Sequence, residues 1–376
     1  MCTLEPETKA EPLDSDKLLR IIMKPTHPSQ IRINPMRALG LLLVMTFAAK
    51  SAAWAGDLRT QPSRAIPDAL VYADPAGPEH GQGTYAVIVD KRRQQLSLYG
   101  HDGTWKNIGR WPCSTGRKTG PKLREGDQKT PEGVYFALRD VGRRFLTDTY
   151  GARALPLDYP NWWDRSRQRS GSAIWLHGTN KPLQDRDSNG CVVINNDTIN
   201  QLARYIHLNR TPVIIVEEAR LWSLKDARKT AKTILSAAGR WHRALMHGSY
   251  RQFSRWYTSE SKPSMAWWQK WCRQRKKHRN DHAFSSSLQQ RAIYRSNGYF
   301  LLLFDHHLMA DGRHTWAGRR KLFLRFEENK VAIIGEAFQS GPGVATDPLF
   351  HAWRKLWQKD SQRCKIAITQ QNENNI

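Results

Sequence analysis

Residues 177–196 read HGTNKPLQDRDSNGCVVINN, with a histidine at the start and a cysteine fourteen positions on. Cysteine attacks as the thiolate, and a free thiol is mostly protonated at neutral pH. A neighbouring base or cation must therefore draw the proton away. Histidine titrates near neutrality and suits that task. The spacing from His177 to Cys191 fits a strand that ends at the histidine, a polar excursion, and a turn that returns the cysteine to its side. Ser188, Asn189 and Gly190 are turn residues, and Gly190 permits unusual dihedrals and close backbone approach. The backbone N–H groups of Gly190 and Cys191 would then face an oxyanion developing on a bound acyl group. The same residues also have a plain structural reading. Cysteine is among the most buried residue types, and CVVI is apolar. No Asp or Glu is obviously placed to orient His177, so a backbone carbonyl is the expected partner. From residue types alone both readings stay open.

The elements that must position these residues are mostly strands. TYAVIVD (84–90) and QQLSLYG (94–100) predict two strands joined by a tight turn, with further strands over 104–116, 134–140, 172–178 and 191–194. The stretch 118–133 is polar and turn-rich and reads as a surface loop. Asp197 is the expected cap of a helix in which Ile199, Leu202, Ala203 and Ile206 recur at helical spacing, and TPVIIVE (211–217) closes the block as a strand. After Glu218 the pattern changes. Ser223 opens a helical stretch to about 247, with a break expected near Gly239. Helical patterns follow over 249–260 and 265–279, and antiparallel strands turn at 296–298 and 328–329.

Length and composition bound the possibilities. The chain has 376 residues, 39% of them hydrophobic, enough for two ordinary domains. Its 59 Lys+Arg against 34 Asp+Glu give a formal charge of +25, which favours anionic partners: nucleic acid, anionic lipid or an acidic wall polymer. Residues 36–55, MRALGLLLVMTFAAKSAAWA, carry Arg37, an apolar run from Ala38 to Ala49, and Ala53 and Ala55 at an A-x-A-like site. That is the pattern of a secretory signal peptide cleaved before Gly56, and the run is short for a span of ~20 residues. An uncleaved anchor is the alternative, the one route to membrane contact. Residues 1–35 are polar and aperiodic, and Met36 is the expected physiological start. Export excludes nucleic acid as a partner, and no zinc-finger or RNP-like motif is present. The five cysteines share no CxxC spacing, and His242, His247, His306 and His307 make no credible metal set, so no metal or cofactor is expected. Cys272 and Cys364 are candidates for a disulfide in an oxidising compartment.

IWLHGT followed by SNGCVVI resembles the signature of the L,D-transpeptidase catalytic domain family (YkuD-like), whose usual form is HG…S-H-G-C-x-R. EGDQKTPEGVYF (125–136) resembles the family's EGD-x-x-TPEG segment, and 157–179 is similar to the approach in one branch of it. The resemblance covers 84–217, about a third of the chain. It implies a mainly β, sandwich-like catalytic domain with one or two helices, acting on peptidoglycan stem tetrapeptides through a cysteine thioester that an amine then attacks. It further implies Cys191 as nucleophile, His177 as base, the Gly178 carbonyl as its orienter, and Ser188 and Gly190 as shapers of the turn and oxyanion site. Thr179, Asn189, Tyr159 and Trp162 become candidate substrate contacts, with a structural role open for the aromatics. Two positions depart from the family: Asn189 stands for the usual histidine and Val193 for the usual arginine. They leave the acceptor open among a stem amine, a protein lysine and water, and a degenerate wall-binding protein is the remaining alternative. The branch with S-x-G-C-V-V carries a C-terminal accessory domain, and 236–345 resembles one of NTF2-like, α+β type. Its AWWQKWCRQRKKHR stretch would bind glycan or pack as core. The expected division is 1–35 ahead of the start, 36–55 signal peptide, 56–83 linker, 84–217 catalytic domain, 218–235 helical connector, 236–345 accessory domain and 346–376 tail.

Overall fold

The structure is a computed structural model that describes residues 65–75, 83–279, 285–310 and 313–339. The central element is a five-stranded sheet built from β3 (Thr84–Asp90), β4 (Gln95–His101), β5 (Trp105–Pro112), β6 (Gly133–Phe136) and β11 (Pro212–Val216). Its order is β5-β4-β3-β11-β6, with β11 parallel to β3 and antiparallel to β6. The AVIV and PVIIV runs are apolar throughout because both faces of this sheet are covered. On one face Val87, Val89, Leu96, Val213 and Ile215 pack with Leu155, Leu176, Val192, Ile194 and Leu202. On the other, Ile88, Val134, Phe136 and Ile214 pack with Tyr294, Leu301, Leu303 and Phe323. Each such side chain contributes about 1.5–3 kcal/mol by leaving water.

The first face is closed by a small sheet. Its strands are β7 (Val141–Gly142), β8 (Arg153–Pro156), β9 (Trp175–His177) and β10 (Val192–Val193), in the order β10-β9-β8-β7. β9 and β10 run parallel, the register pairing Leu176 with Val192 and His177 with Val193. Helix α1 (Trp162–Ser166) precedes β9, and α2 (Asn196–Ala203) follows β10. Asn195, not Asp197, occupies the N-cap of α2, without a side-chain bond. Asp197 lies in the first turn, where a negative charge suits the helix dipole.

The second face meets a sheet formed by β13 (Ser285–Ser296), β14 (Tyr299–Ala310), β15 (Arg313–Glu327) and β16 (Lys330–Gln339). A strand from far upstream, β2 (Leu70–Ala73), is added at its edge, giving the order β16-β15-β14-β13-β2. Helices α3 (Leu224–His247), α4 (Tyr250–Ser254) and α5 (Met265–Arg279) cover its far side. The layers from one side to the other are thus small sheet and α2, central sheet, C-terminal sheet, helices.

Three further expectations are corrected here. The supposed linker 56–83 supplies β2 and also β1 (Ala65–Pro67), which pairs with β12 (Leu221–Ser223). Helix α3 is unbroken through Gly239, so the boundary between a connector at 218–235 and a domain at 236 falls inside one helix. Glycine there costs about 1 kcal/mol, but the stripe Ala231, Ile234, Ala238, Trp241 and Leu245 is buried and holds the helix. Only Tyr250–Ser254 of the expected helix over 249–260 is α-helical. Of the two readings open for the Trp-rich stretch, core packing holds for its tryptophans: Trp267, Trp268 and Trp271 are 4%, 5% and 0% exposed, the first two stacking on Phe253 and the third on Trp267. The expected signal segment 36–55, the segment 1–35, the tail, and Cys2 and Cys364 lie outside the described residues.

Candidate active site

His177 ends β9, and Cys191 immediately precedes β10, its parallel neighbour. Leu176 and Val192 are fully buried in the core, so by strand alternation Trp175, His177, Cys191 and Val193 share the opposite face. Extending the register by one residue sets Cys191 beside Trp175. His177 is then its diagonal neighbour, roughly 8 Å away between Cα positions at ~4.8 Å between strands and ~3.3 Å per residue. The thiol meets the Ala173 carbonyl oxygen at 3.5 Å.

The imidazole has a fixed orientation. Its Nδ1 lies 2.7 Å from the Gly178 carbonyl oxygen, a contact in which the ring N–H donates. That tautomer leaves Nε2 as the basic nitrogen. The expected backbone partner is therefore present. Tyr150 packs edge-on against the ring at 5.0 Å between centroids and also contacts Trp175 at 4.5 Å. Burial lowers the His177 pKa below its ordinary value, opposed by the bond to Gly178. Burial raises the Cys191 thiol, opposed first by the Trp175 backbone N–H and then by the Lys122 ammonium. Burial thus disfavours the charged form of each group.

The turn before Cys191 is held from within. Ser188 Oγ donates to the Cys191 carbonyl at 2.7 Å and accepts the Gly190 N–H at 3.1 Å. The Gly190 N–H is therefore already engaged and does not point freely at an oxyanion; this corrects the expectation that it forms half of that site. Gly190 has φ +131°, and a Cβ there would stand 2.8 Å from the Lys129 carbonyl oxygen, so no other residue fits without moving backbone. Asn189 is exposed and accepts from Arg117 Nη1 at 2.6 Å. Thr179 Oγ1 accepts the Lys181 N–H at 3.0 Å and folds the loop after His177.

Two aromatic candidates do not reach the site. Tyr159 is 6% exposed, belongs to the core between the central and small sheets, and donates to the Ser170 carbonyl at 2.9 Å. Trp162 packs on Phe323 at 5.0 Å between centroids and lies over Gly335, anchoring α1 to the C-terminal sheet. Val193 sits in register with His177 and presents an apolar neighbour where the family's arginine would place a cation.

Several contributors were not singled out by sequence. Asn196 Oδ1 accepts the Ala152 N–H at 2.8 Å and its amide donates to Asn180 at 2.8 Å, bracing the loop beyond Gly178. Gln94 receives the N–H groups of Thr115 and Arg186, both at 2.9 Å, and so ties the end of β5 to the loop before the turn. Asp127 accepts from Leu123 and Lys129 N–H at 2.8 and 3.1 Å and from Lys122 Nζ at 2.8 Å. The EGD motif was the one available signal for Asp127; nothing in the sequence marked Asn196 or Gln94. Among the described residues no group of three or more His, Cys, Asp or Glu is arranged to hold a metal ion.

Residues 84–215 match the family described as L,D-transpeptidase catalytic domain (YkuD). The likeness is to that catalytic domain, over about a third of the chain. Over 94 residues the chain is 30% identical to YafK of Escherichia coli (strain K12), whose name places it provisionally among the L,D-transpeptidases. That match covers 25% of this chain and 35% of YafK. Among solved structures, Bd1075 of Bdellovibrio bacteriovorus superposes with a TM-score of 0.61 at 25% identity, over 74% of this chain and 99% of that one. The helical cell shape determining protein Pgp2 of Campylobacter jejuni superposes with a TM-score of 0.58 at 19% identity, over 72% of this chain and 95% of that one. The fold is thus L,D-transpeptidase-like and mainly β. The shared architecture extends past the catalytic segment, since 84–215 alone is far less than 74% of the chain.

Proposed function

We propose that the protein is an exported cysteine acyltransferase of L,D-transpeptidase type, acting on peptidoglycan stem tetrapeptides. The observation that carries this is the His177 imidazole, locked by the Gly178 carbonyl 2.7 Å from Nδ1, on the same face as Cys191. His177 Nε2 takes the thiol proton as sulfur attacks the stem carbonyl. The Trp175 N–H favours the negative charge on sulfur as it forms. Collapse releases the terminal amino acid and leaves a Cys191 thioester, and an amine attacks that thioester with His177 again relaying the proton. No step calls for a metal or organic cofactor. Water as second nucleophile would give hydrolysis by the same residues.

Export rests on residues 36–55 as a signal segment, and the net charge of +25 suits retention on anionic envelope polymers. Among the described residues no helix is long and apolar enough to cross a membrane. The C-terminal layer, three helices on an antiparallel sheet, serves in this reading as an accessory domain of NTF2-like type. Intact-mass spectrometry of native protein and the Cys191→Ala variant, after exposure to a carbapenem and to a tetrapeptide-bearing muropeptide, is the test. An adduct on the native form alone, with cross-linked muropeptide as product, is expected. Hydrolysed product alone would replace the transferase by a hydrolase. Binding without adduct or turnover would leave a wall-binding protein.

A further inference from the structure

The loop between β5 and β6 carries an ion pair that the sequence presents only as part of a motif. Lys122 and Asp127 have side chains 4% and 9% exposed and meet at 2.8 Å. Asp127 also collects the N–H groups of Leu123, Arg124 and Lys129, at 2.8, 3.1 and 3.1 Å, and Lys122 Nζ donates to the Arg124 carbonyl at 3.0 Å. A carboxylate with that many donors is held well charged, and its pKa falls to about 2, with the Lys122 bond the first-named favourable contact and burial opposing. Two walls of the cysteine turn rest on this loop. On one side the Lys129 carbonyl backs Gly190, the residue before the nucleophile. On the other, Lys122 Cε lies 3.0 Å from where a side chain would begin on Gly171, and the Ser170 N–H donates to the Leu123 carbonyl at 3.1 Å. That second wall leads through Ala173, whose carbonyl the thiol meets, to Trp175.

We propose that Lys122, held in place by Asp127, is the positioning cation of the Cys191 site, presenting its ammonium to the thiolate from the loop and not from the strand. It takes the place left by Val193, where an arginine would otherwise supply positive charge. The inference builds on the proposed acyl transfer, yet its test needs no substrate. The charged and titratable groups around the thiol are His177 on β9, Tyr150 beside it, Lys122 and Asp127 in the loop, and the exposed Arg117–Asp187 pair across the turn. Among these described groups Lys122 is the cation with a buried side chain.

The experiment is the pH profile of Cys191 alkylation by iodoacetamide, read by intact mass and peptide mapping in the full-length protein. Lys122→Met should move the profile to higher pH, with the rate at pH 7 falling about tenfold for one unit and the high-pH limit unchanged. Lys122→Arg should stay within about twofold of the native rate. A merely structural role predicts the opposite sign for Lys122→Met, because a loosened loop hydrates the thiol and relieves the burial that raises its pKa. If Lys122→Met does not fold, Lys122→Met with Asp127→Asn removes both charges while keeping an amide oxygen for the loop N–H groups. The expected shift is then smaller and still upward. An unchanged or downward profile in a folded variant overturns the proposal. Such a result leaves the acyl-transfer reading intact, since that reading stands or falls on adduct formation at Cys191.

Discussion

Replacing Gly190 by alanine is the most direct probe of how this site is built. The residue has φ +131°, a conformation open to glycine and strained for any L side chain, at a cost of about 1–3 kcal/mol. The added Cβ would also stand 2.8 Å from the Lys129 carbonyl oxygen, which is backbone and cannot rotate away. Relief requires either the 188–190 turn or the loop at Lys129 to shift by several tenths of an ångström. The turn is tied at both ends by Ser188, through 2.7 Å to the Cys191 carbonyl and 3.1 Å from the Gly190 N–H. Movement therefore passes directly to the nucleophile. A displacement near 1 Å at reacting atoms costs on the order of 100-fold in rate. The assay is the second-order rate of carbapenem adduct formation by mass spectrometry, beside a thermal melt. The expected result is a folded protein, less stable by about 2 kcal/mol, that acylates at least tenfold more slowly. A Gly190→Ala protein that acylates at the native rate would refute the coupling of the turn to the thiol.

The pH profile of acylation should carry its acidic limb below the ordinary histidine range. Burial lowers the His177 pKa, so the imidazole stays neutral and able to accept a proton as pH falls to 6.5; stopped measurements from pH 4.5 to 8 would show a limb at or above 7 if this is wrong. Trp162→Ala should lower stability by about 3 kcal/mol, because the ring lies on Phe323 and Gly335, without altering the acylation rate of the folded protein. A rate loss at unchanged melting temperature would return Trp162 to the substrate path. A fragment of residues 84–217 should show no cooperative melt, since it uncovers Ile88, Val134, Phe136 and Ile214; a sharp transition within a few degrees of the whole chain would refute the dependence.

The central strands were legible because their runs of Val and Ile admit little else. What covers the second face was not legible. β2 joins a sheet whose other strands begin more than two hundred residues later, and no local pattern announces so distant a partner. The proline content of 56–83 pointed to a linker, yet Pro67 ends β1 at a strand edge, where the missing N–H costs nothing. His177, Cys191 and the Gly178 carbonyl followed from chemistry and motif together. The Trp-rich helix had two readings, and the choice between them turned on Phe253, a residue outside the stretch on which Trp267 and Trp268 stack. Ser188 was expected to shape the turn and does; that its hydroxyl would also occupy the Gly190 N–H depends on rotamer, which spacing does not encode.

Burial that disfavours the charged form of both Cys191 and His177 changes what the surroundings must do. Were the thiolate preformed, a cation near sulfur would hold it in the ground state and blunt its attack. In the proposed acyl transfer, burial disfavours the charged form of both Cys191 and His177, so charge would separate as the acyl group is attacked. The Trp175 N–H and the Lys122 ammonium then act chiefly on the charged species, and a donor fixed in place before the reaction stabilises that species without reorganising. Asp127 holds the Lys122 ammonium at 2.8 Å, and three backbone donors fix that carboxylate within the loop. The loop that looks like a surface connection in sequence is in this account the rigid part of the site, and the short strands β9 and β10 are what it holds in register.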